Sequence, residues 1–198
     1  VASAPERRPA ALLYAELRNF TRLSEVLQPD KVLALANEFF ALAAKAFIAN
    51  AGRVLSVQND SLLGAFMEGE PPEFADRALK AAQAIQTQFG ALGERWQKEY
   101  GLPAAVALGV HLGETVFGMA GPHGAQQFVA FGDPVSVAER LVHRARAGEI
   151  VLSVDVMKAL GAAVATIGAE ELPALELGGK RPALGIYGIV LETRLDFT

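Results

Sequence analysis

Apolar residues along this chain change period several times, and each change marks an element. Leu12-Leu13-Tyr14-Ala15-Glu16-Leu17 is an apolar run broken by one acid, the pattern of a buried central strand whose far end meets solvent or a site. A short helix opens at Phe20-Thr21. A longer one opens at Pro29-Asp30, where Val32, Leu35, Phe39, Leu42, Ala46 and Phe47 recur at helical spacing until Gly52 ends it. Residues 53–57 and 61–67 read as strands joined by Gln58-Asn59-Asp60, a hairpin turn by composition. After Pro71-Pro72, residues 74–100 carry Ala78, Ala82, Ile85, Phe89, Leu92 and Trp96 on one stripe, which predicts a long amphipathic helix despite Gly90 and Gly93.

The second half continues in the same way. Residues 105–112 and 114–119 read as two strands around Gly113, and residues 126–131 lead into Gly132-Asp133-Pro134. There Asp133 is expected to cap a helix that starts at Pro134 and turns Val135, Ala138, Leu141 and Val142 inward, with Gly148 past its end. Residues 149–153 form a strand, 154–160 a short helix and 184–191 a closing strand. This order describes an α/β (α+β) sandwich on a βαββαβ core.

With 198 residues, 52% of them apolar and 20% charged, the chain can bury one substantial core. One domain is expected over residues 11–193, between a linker at 1–10 and a tail at 194–198. The opening Val-Ala-Ser-Ala-Pro-Glu-Arg-Arg-Pro reads as a linker cut from something longer. A net charge of −4 leaves no basic stripe for nucleic acid. The absence of cysteine excludes disulfides, thiolate metal sites and a cysteine nucleophile, and fits a cytoplasmic setting. No apolar run reaches the roughly 18–20 residues of a membrane span; the longest candidate, 159–169, contains two glycines and a threonine. Membrane attachment is therefore expected only through segments outside this chain.

Glu16 and Asp60 stand out chemically, each beside a core strand. Two carboxylates at adjacent strand ends suit a phosphoryl-transfer site whose two cations sit about 3.5–4 Å apart. Asp60 also reads as a plain turn residue, because Asn-Asp favours turns. Glu16 in an apolar strand is harder to dismiss, since burying a lone charge is expensive. His111, His123 and His143 have no ligand spacing and read as strand-end, turn and helix-surface residues. No G-x-S-x-G elbow or phosphate-loop lysine motif occurs, and the glycines at 109, 113 and 118 read as strand-bend residues.

Four ordered blocks carry a resemblance. Tyr14-Ala15-Glu16-Leu17-Arg18-Asn19-Phe20-Thr21-Arg22-Leu23-Ser24-Glu25 resembles the F-A-D-I-R-x-F-T-x-L-S-E opening of the class III nucleotidyl cyclase domain. Val57-Gln58-Asn59-Asp60-Ser61-Leu62-Leu63-Gly64-Ala65-Phe66 is similar to that family's hairpin around its second metal aspartate. Residues 108–118 resemble I-G-I-H-x-G-x-x-x-x-G, and residues 131–141 resemble G-D-x-V-N-x-A-x-R-L. The likeness runs from about residue 12 to 191, and four blocks in order are far more specific than any one. It implies a ferredoxin-like palm core with additional strands and a head-to-tail homodimer with active sites at the interface. It further implies attack of the ribose 3′-oxygen on the α-phosphate of ATP or GTP, with two Mg or Mn ions.

Position by position, the resemblance implies metal ligation by Glu16, which replaces an aspartate, and by Asp60. It places the base-reading pair on Ser56 and Val129, the ribose-orienting asparagine on Ser136 and the transition-state arginine on Arg140. The triphosphate lysine falls on Gly178, with Lys180 or Arg181 as substitutes, and the amides around Phe20 and Thr21 are placed to cradle an anion. Valine neither donates nor accepts, so base selectivity is weakened. Ser56, Val129 and Arg140 also read as ordinary strand or helix-surface residues. With four functional positions lost, a catalytically degenerate, dimeric, regulatory or nucleotide-sensing module is expected. A slow or unusual cyclase and a non-binding structural domain are the alternatives.

Overall fold

The central strand, β1 (Glu6–Arg18), is longer than the apolar run that predicts it. In the computed structural model, which describes residues 4–191, β1 pairs antiparallel with β3 (Ser61–Phe66) on one edge and with β4 (Ala105–Ala120) on the other. Both edges are paired and both faces covered, so its middle must be apolar throughout. Period two sends Ala11, Leu13, Ala15 and Leu17 to one face and Ala10, Leu12 and Tyr14 to the other. Glu16 shares the parity of the second set. Residues 6–10, expected as linker, belong to this strand: Glu6 pairs with Phe117 and the fully buried Ala10 with Gly113. The tail at 194–198 and residues 1–3 lie outside the described residues.

Helices α1 (Phe20–Val26) and α2 (Pro29–Ala49) lead from β1 to β2 (Arg53–Val57), and α3 (Pro71–Tyr100) leads from β3 to β4. Then come β5 (Gln127–Phe131), α4 (Asp133–Arg144), β6 (Glu149–Ser153), α5 (Val154–Leu160), a 3₁₀ turn (Gly161–Thr166), β7 (Glu170–Leu175) and β8 (Leu184–Val190). The sheet order is β2-β3-β1-β4-β6-β8-β7, with β5 paired to β4. The β4–β6 pair is parallel and the others antiparallel. The first four strands with α2 and α3 form the predicted βαββαβ core.

One face of the sheet is covered by α2, α3 and α5 through Phe39, Phe47, Phe74, Ile85, Trp96 and Val156. A buried amide locks α3 in place, since Gln86 Nε2 donates to Gly148 O at 2.8 Å and to Ile189 O at 3.0 Å. Helix α2 corrects the expectation about apolar runs: its 21 residues have a window of mean hydropathy 1.7, long and apolar enough for a span by composition. Its stripe from Val32 to Phe47 is instead spent on the core.

The other face carries α4, whose Val137, Ala138, Leu141 and Val142 pack on Ala10, Leu12 and Tyr14. Two glycines expected as strand bends serve this approach. A Cβ on Gly109 would lie 2.5 Å from Val142 N, and one on Gly113 would lie 2.6 Å from Pro134 Cγ. β4 accordingly runs unbroken through Gly113 rather than dividing into two strands.

Candidate active site at the paired ends of β1 and β3

Strand register brings the two acids together. Glu16 pairs with Ser61, and Leu17 N donates to Asp60 O at 2.7 Å, so the hairpin acid sits beside the end of β1. The chain then turns sharply through Asn19, which adopts the left-handed conformation at φ 69° and donates its side-chain amide to Pro103 O at 2.5 Å. That turn sets α1 against the same opening. Glu16, Arg18, Asn19, Phe20, Thr21 and Asp60 line an open pocket of about 460 Å³. With seven residues and no side-chain cap, α1 offers individual amide N–H groups there rather than a developed dipole.

Only 12% of the Glu16 side chain is exposed, and each of its oxygens faces a basic nitrogen. Arg18 Nε lies 3.4 Å from Oε1 and His143 Nε2, from α4, lies 3.3 Å from Oε2. Burial pushes the Glu16 carboxyl above its ordinary value; Arg18 and His143 oppose the rise, and Asp60 and Glu139 add to it. Two residues earlier on the same strand, burial and the charge of Glu139 push Tyr14 up to about 12. Glu16 is thus a carboxylate whose burial costs more than its two basic partners offset. Among the described residues no cluster of three or more histidine or acidic side chains forms a complete cage. Two hard carboxylates beside open space fit Mg or Mn, which take one or two protein carboxylates and complete their shell with water and substrate phosphates.

The remaining predicted residues lie elsewhere. Ser136 is exposed in the first turn of α4, Lys180 is exposed in the turn between β7 and β8, and Arg140 donates to Glu176 O. None of the three lines the pocket of Glu16 and Asp60, and Arg140 is not among the charges that bear on Glu16. Ser56 on β2 and Val129 on β5 are half-buried, on strands that approach where the Arg53 guanidinium stands 3.7 Å over the Phe128 ring. Asp133 is not the cap of α4. Gly132 takes that position, and Asp133, the first helical residue, binds Arg181 through both oxygens at 2.7 and 2.8 Å. Sequence reasoning missed Arg18 and His143 as neighbours of Glu16. Arg18 had a signal, since residues two apart on a strand share a face; the contact from α4 had none.

The profile of the adenylate and guanylate cyclase catalytic domain matches residues 3–185. The chain belongs to this family. It is 30% identical over 139 residues, 68% of the chain, to adenylate cyclase 1 of Rhizobium meliloti (strain 1021), and 27% identical over 142 residues, 70% of the chain, to an adenylate cyclase of Anabaena cylindrica. It spans 20% and 28% of those proteins' lengths. In fold it is similar to the adenylyl cyclase CyaB from P. aeruginosa, with a TM-score of 0.88 and 20% identity over 97% of this chain and 98% of that one. This class III domain thus has cyclases as its relatives, and nothing in the comparisons favours the expected loss of activity.

Proposed function

We propose that this domain is a metal-dependent nucleotidyl cyclase that converts ATP or GTP into the 3′,5′-cyclic monophosphate and pyrophosphate. The observation that carries the reading is the meeting of Glu16 and Asp60 at paired strand ends in an open pocket. Its relatives, named as cyclases, support it over a degenerate module. When bound, divalent cations supply Lewis acidity that neutralises the triphosphate and acidifies the 3′-hydroxyl. The chain provides the oxygens of Glu16 and Asp60 to hold that charge and the pocket wall at Phe20 and Thr21 against which the phosphates lie. The O3′–Pα bond forms, the bond from Pα to the bridging oxygen of the β-phosphate breaks, and the hydroxyl proton leaves to solvent. Such a reaction depends on positioning and charge more than on covalent chemistry.

Ser136, Arg140 and Lys180 lie outside this pocket, so a second copy, arranged head to tail, supplies them in the proposed assembly. Purified protein given ATP or GTP with Mn²⁺ forms cyclic product in this reading, and Asp60→Ala lowers the rate by roughly 10²-fold or more. Sedimentation of the active protein reports the dimer. Equal rates in wild type and Asp60→Ala, or no product from either, overturn the proposal and favour the regulatory module.

A further inference from the structure

We propose that Arg18 and His143 are positioning residues that fit a glutamate to the work of a cation ligand at position 16; the inference rests on the cyclase reading above. A glutamate carries one more rotatable bond than an aspartate, and a ligand that must be ordered at each binding event loses affinity. Here the longer side chain is met by a basic nitrogen on each oxygen, Arg18 Nε at 3.4 Å and His143 Nε2 at 3.3 Å. Both nitrogens are held by α4. His143 belongs to its last turn, and Arg18 Nη2 donates to Val142 O at 2.5 Å and Ala145 O at 2.8 Å at the same helix end.

A second observation points the same way. Arg18 Nε is buried and has no hydrogen-bond partner. Buried donors are nearly always satisfied, and Glu16 Oε1 stands 3.4 Å from this one. A small swing of the glutamate completes a charge-assisted bond, so the arginine draws the carboxylate toward one orientation. An aspartate at this position would end one methylene short of both nitrogens. The pair therefore serves a glutamate specifically, which makes the inference testable by length.

The assay is Mn²⁺ binding to the whole chain in the presence of α,β-methylene-ATP, read from the free-ion paramagnetic resonance signal, with kcat and KM measured alongside. His143 is 57% exposed, so His143→Gln leaves the packing of α4 in place. That variant is expected to weaken Mn²⁺ binding and lower kcat by about tenfold, with KM for nucleotide unchanged within about twofold. In a Glu16→Asp background the same substitution should have no further effect. Arg18→Gln should show the same dependence on the residue at 16, with its thermal midpoint recorded because it also gives up its bonds to α4. Equal losses in both backgrounds mark a merely structural role and overturn the proposal, as does no loss in either. If wild type binds Mn²⁺ no better than Glu16→Ala, the cyclase reading itself fails and this one with it. If Glu16→Ala abolishes binding while His143→Gln and Arg18→Gln leave it intact, only the positioning role fails.

Discussion

Replacing Gly109 by alanine tests how closely β4 and α4 must approach for the site to form. The added Cβ would lie 2.5 Å from Val142 N, 3.0 Å from its Cα and 3.1 Å from Ala138 O, all backbone atoms of one turn of α4. No flexible side chain can yield there, and ordinary contact begins near 3.4 Å, so strand and helix must part by roughly 0.9 Å. Overpacking of this kind costs about 1–3 kcal/mol. The helix would carry His143 with it and open the 3.3 Å contact to Glu16, which should lower the rate by up to about the tenfold expected for His143→Gln. Gly90→Ala is the matched control, because nothing lies within 4 Å of its Cβ and its backbone is helical; it should stabilise by about 0.4–1 kcal/mol. Urea unfolding followed by circular dichroism, with midpoint and slope both fitted, measures the pair. A neutral Gly109→Ala, or shifts of the same sign in both variants, refutes the packing argument. Destabilisation with an undiminished cyclisation rate refutes the link from helix placement to the site.

Three further outcomes follow from single groups. Gln86→Met keeps the volume of a buried side chain but strips Gly148 O and Ile189 O of their donor; urea unfolding should show a loss of about 1–3 kcal/mol, and a change under about 0.5 kcal/mol contradicts the role. His111, bonded through Nδ1 to Ser153 Oγ at 2.8 Å, has its pKa held below 6.5 by burial, against the opposing charges of Asp155 and Asp133. The unfolded chain therefore binds the proton first as pH falls below 6.5, and stability drops from there toward the lower folded pKa. His111→Gln should remove that slope in unfolding experiments across this window, and an unchanged slope rejects the assignment. Installing Ser56→Lys with Val129→Asp should raise the ratio of kcat/KM for ATP over GTP by at least about tenfold; a constant ratio shows that bases are not read at these positions.

The core was legible wherever burial was complete on both sides of a strand or along one stripe of a helix. It was obscured where pairing was polar. Glu6 to Arg8 gave no apolar signal, yet the backbone hydrogen bonds with β4 extend β1 through them. β7 was missed because its sequence, Glu-Glu-Leu-Pro-Ala-Leu, belongs to an edge strand with one half-exposed face and a proline, where neither periodicity nor β-propensity survives. Gly113 was read as a bend, since a glycine chosen for the close approach of Pro134 looks the same in sequence as one chosen for its dihedral freedom.

At the site, the division falls between register and tertiary approach. The neighbourhood of Glu16 and Asp60 follows from two strands and a hairpin, which are local enough to read from a pattern of period two. What surrounds Glu16 does not, because His143 arrives from a helix more than a hundred residues later along the chain, through the packing of α4 on β4. A buried acid in an apolar strand states a need for compensation without naming what meets it. The structure answers with one partner two residues away and one from a distant helix, and leaves the carboxyl still raised. That residual imbalance is what a divalent cation would relieve, so the feature that makes Glu16 costly to bury is the same one that makes the pocket fit for charge.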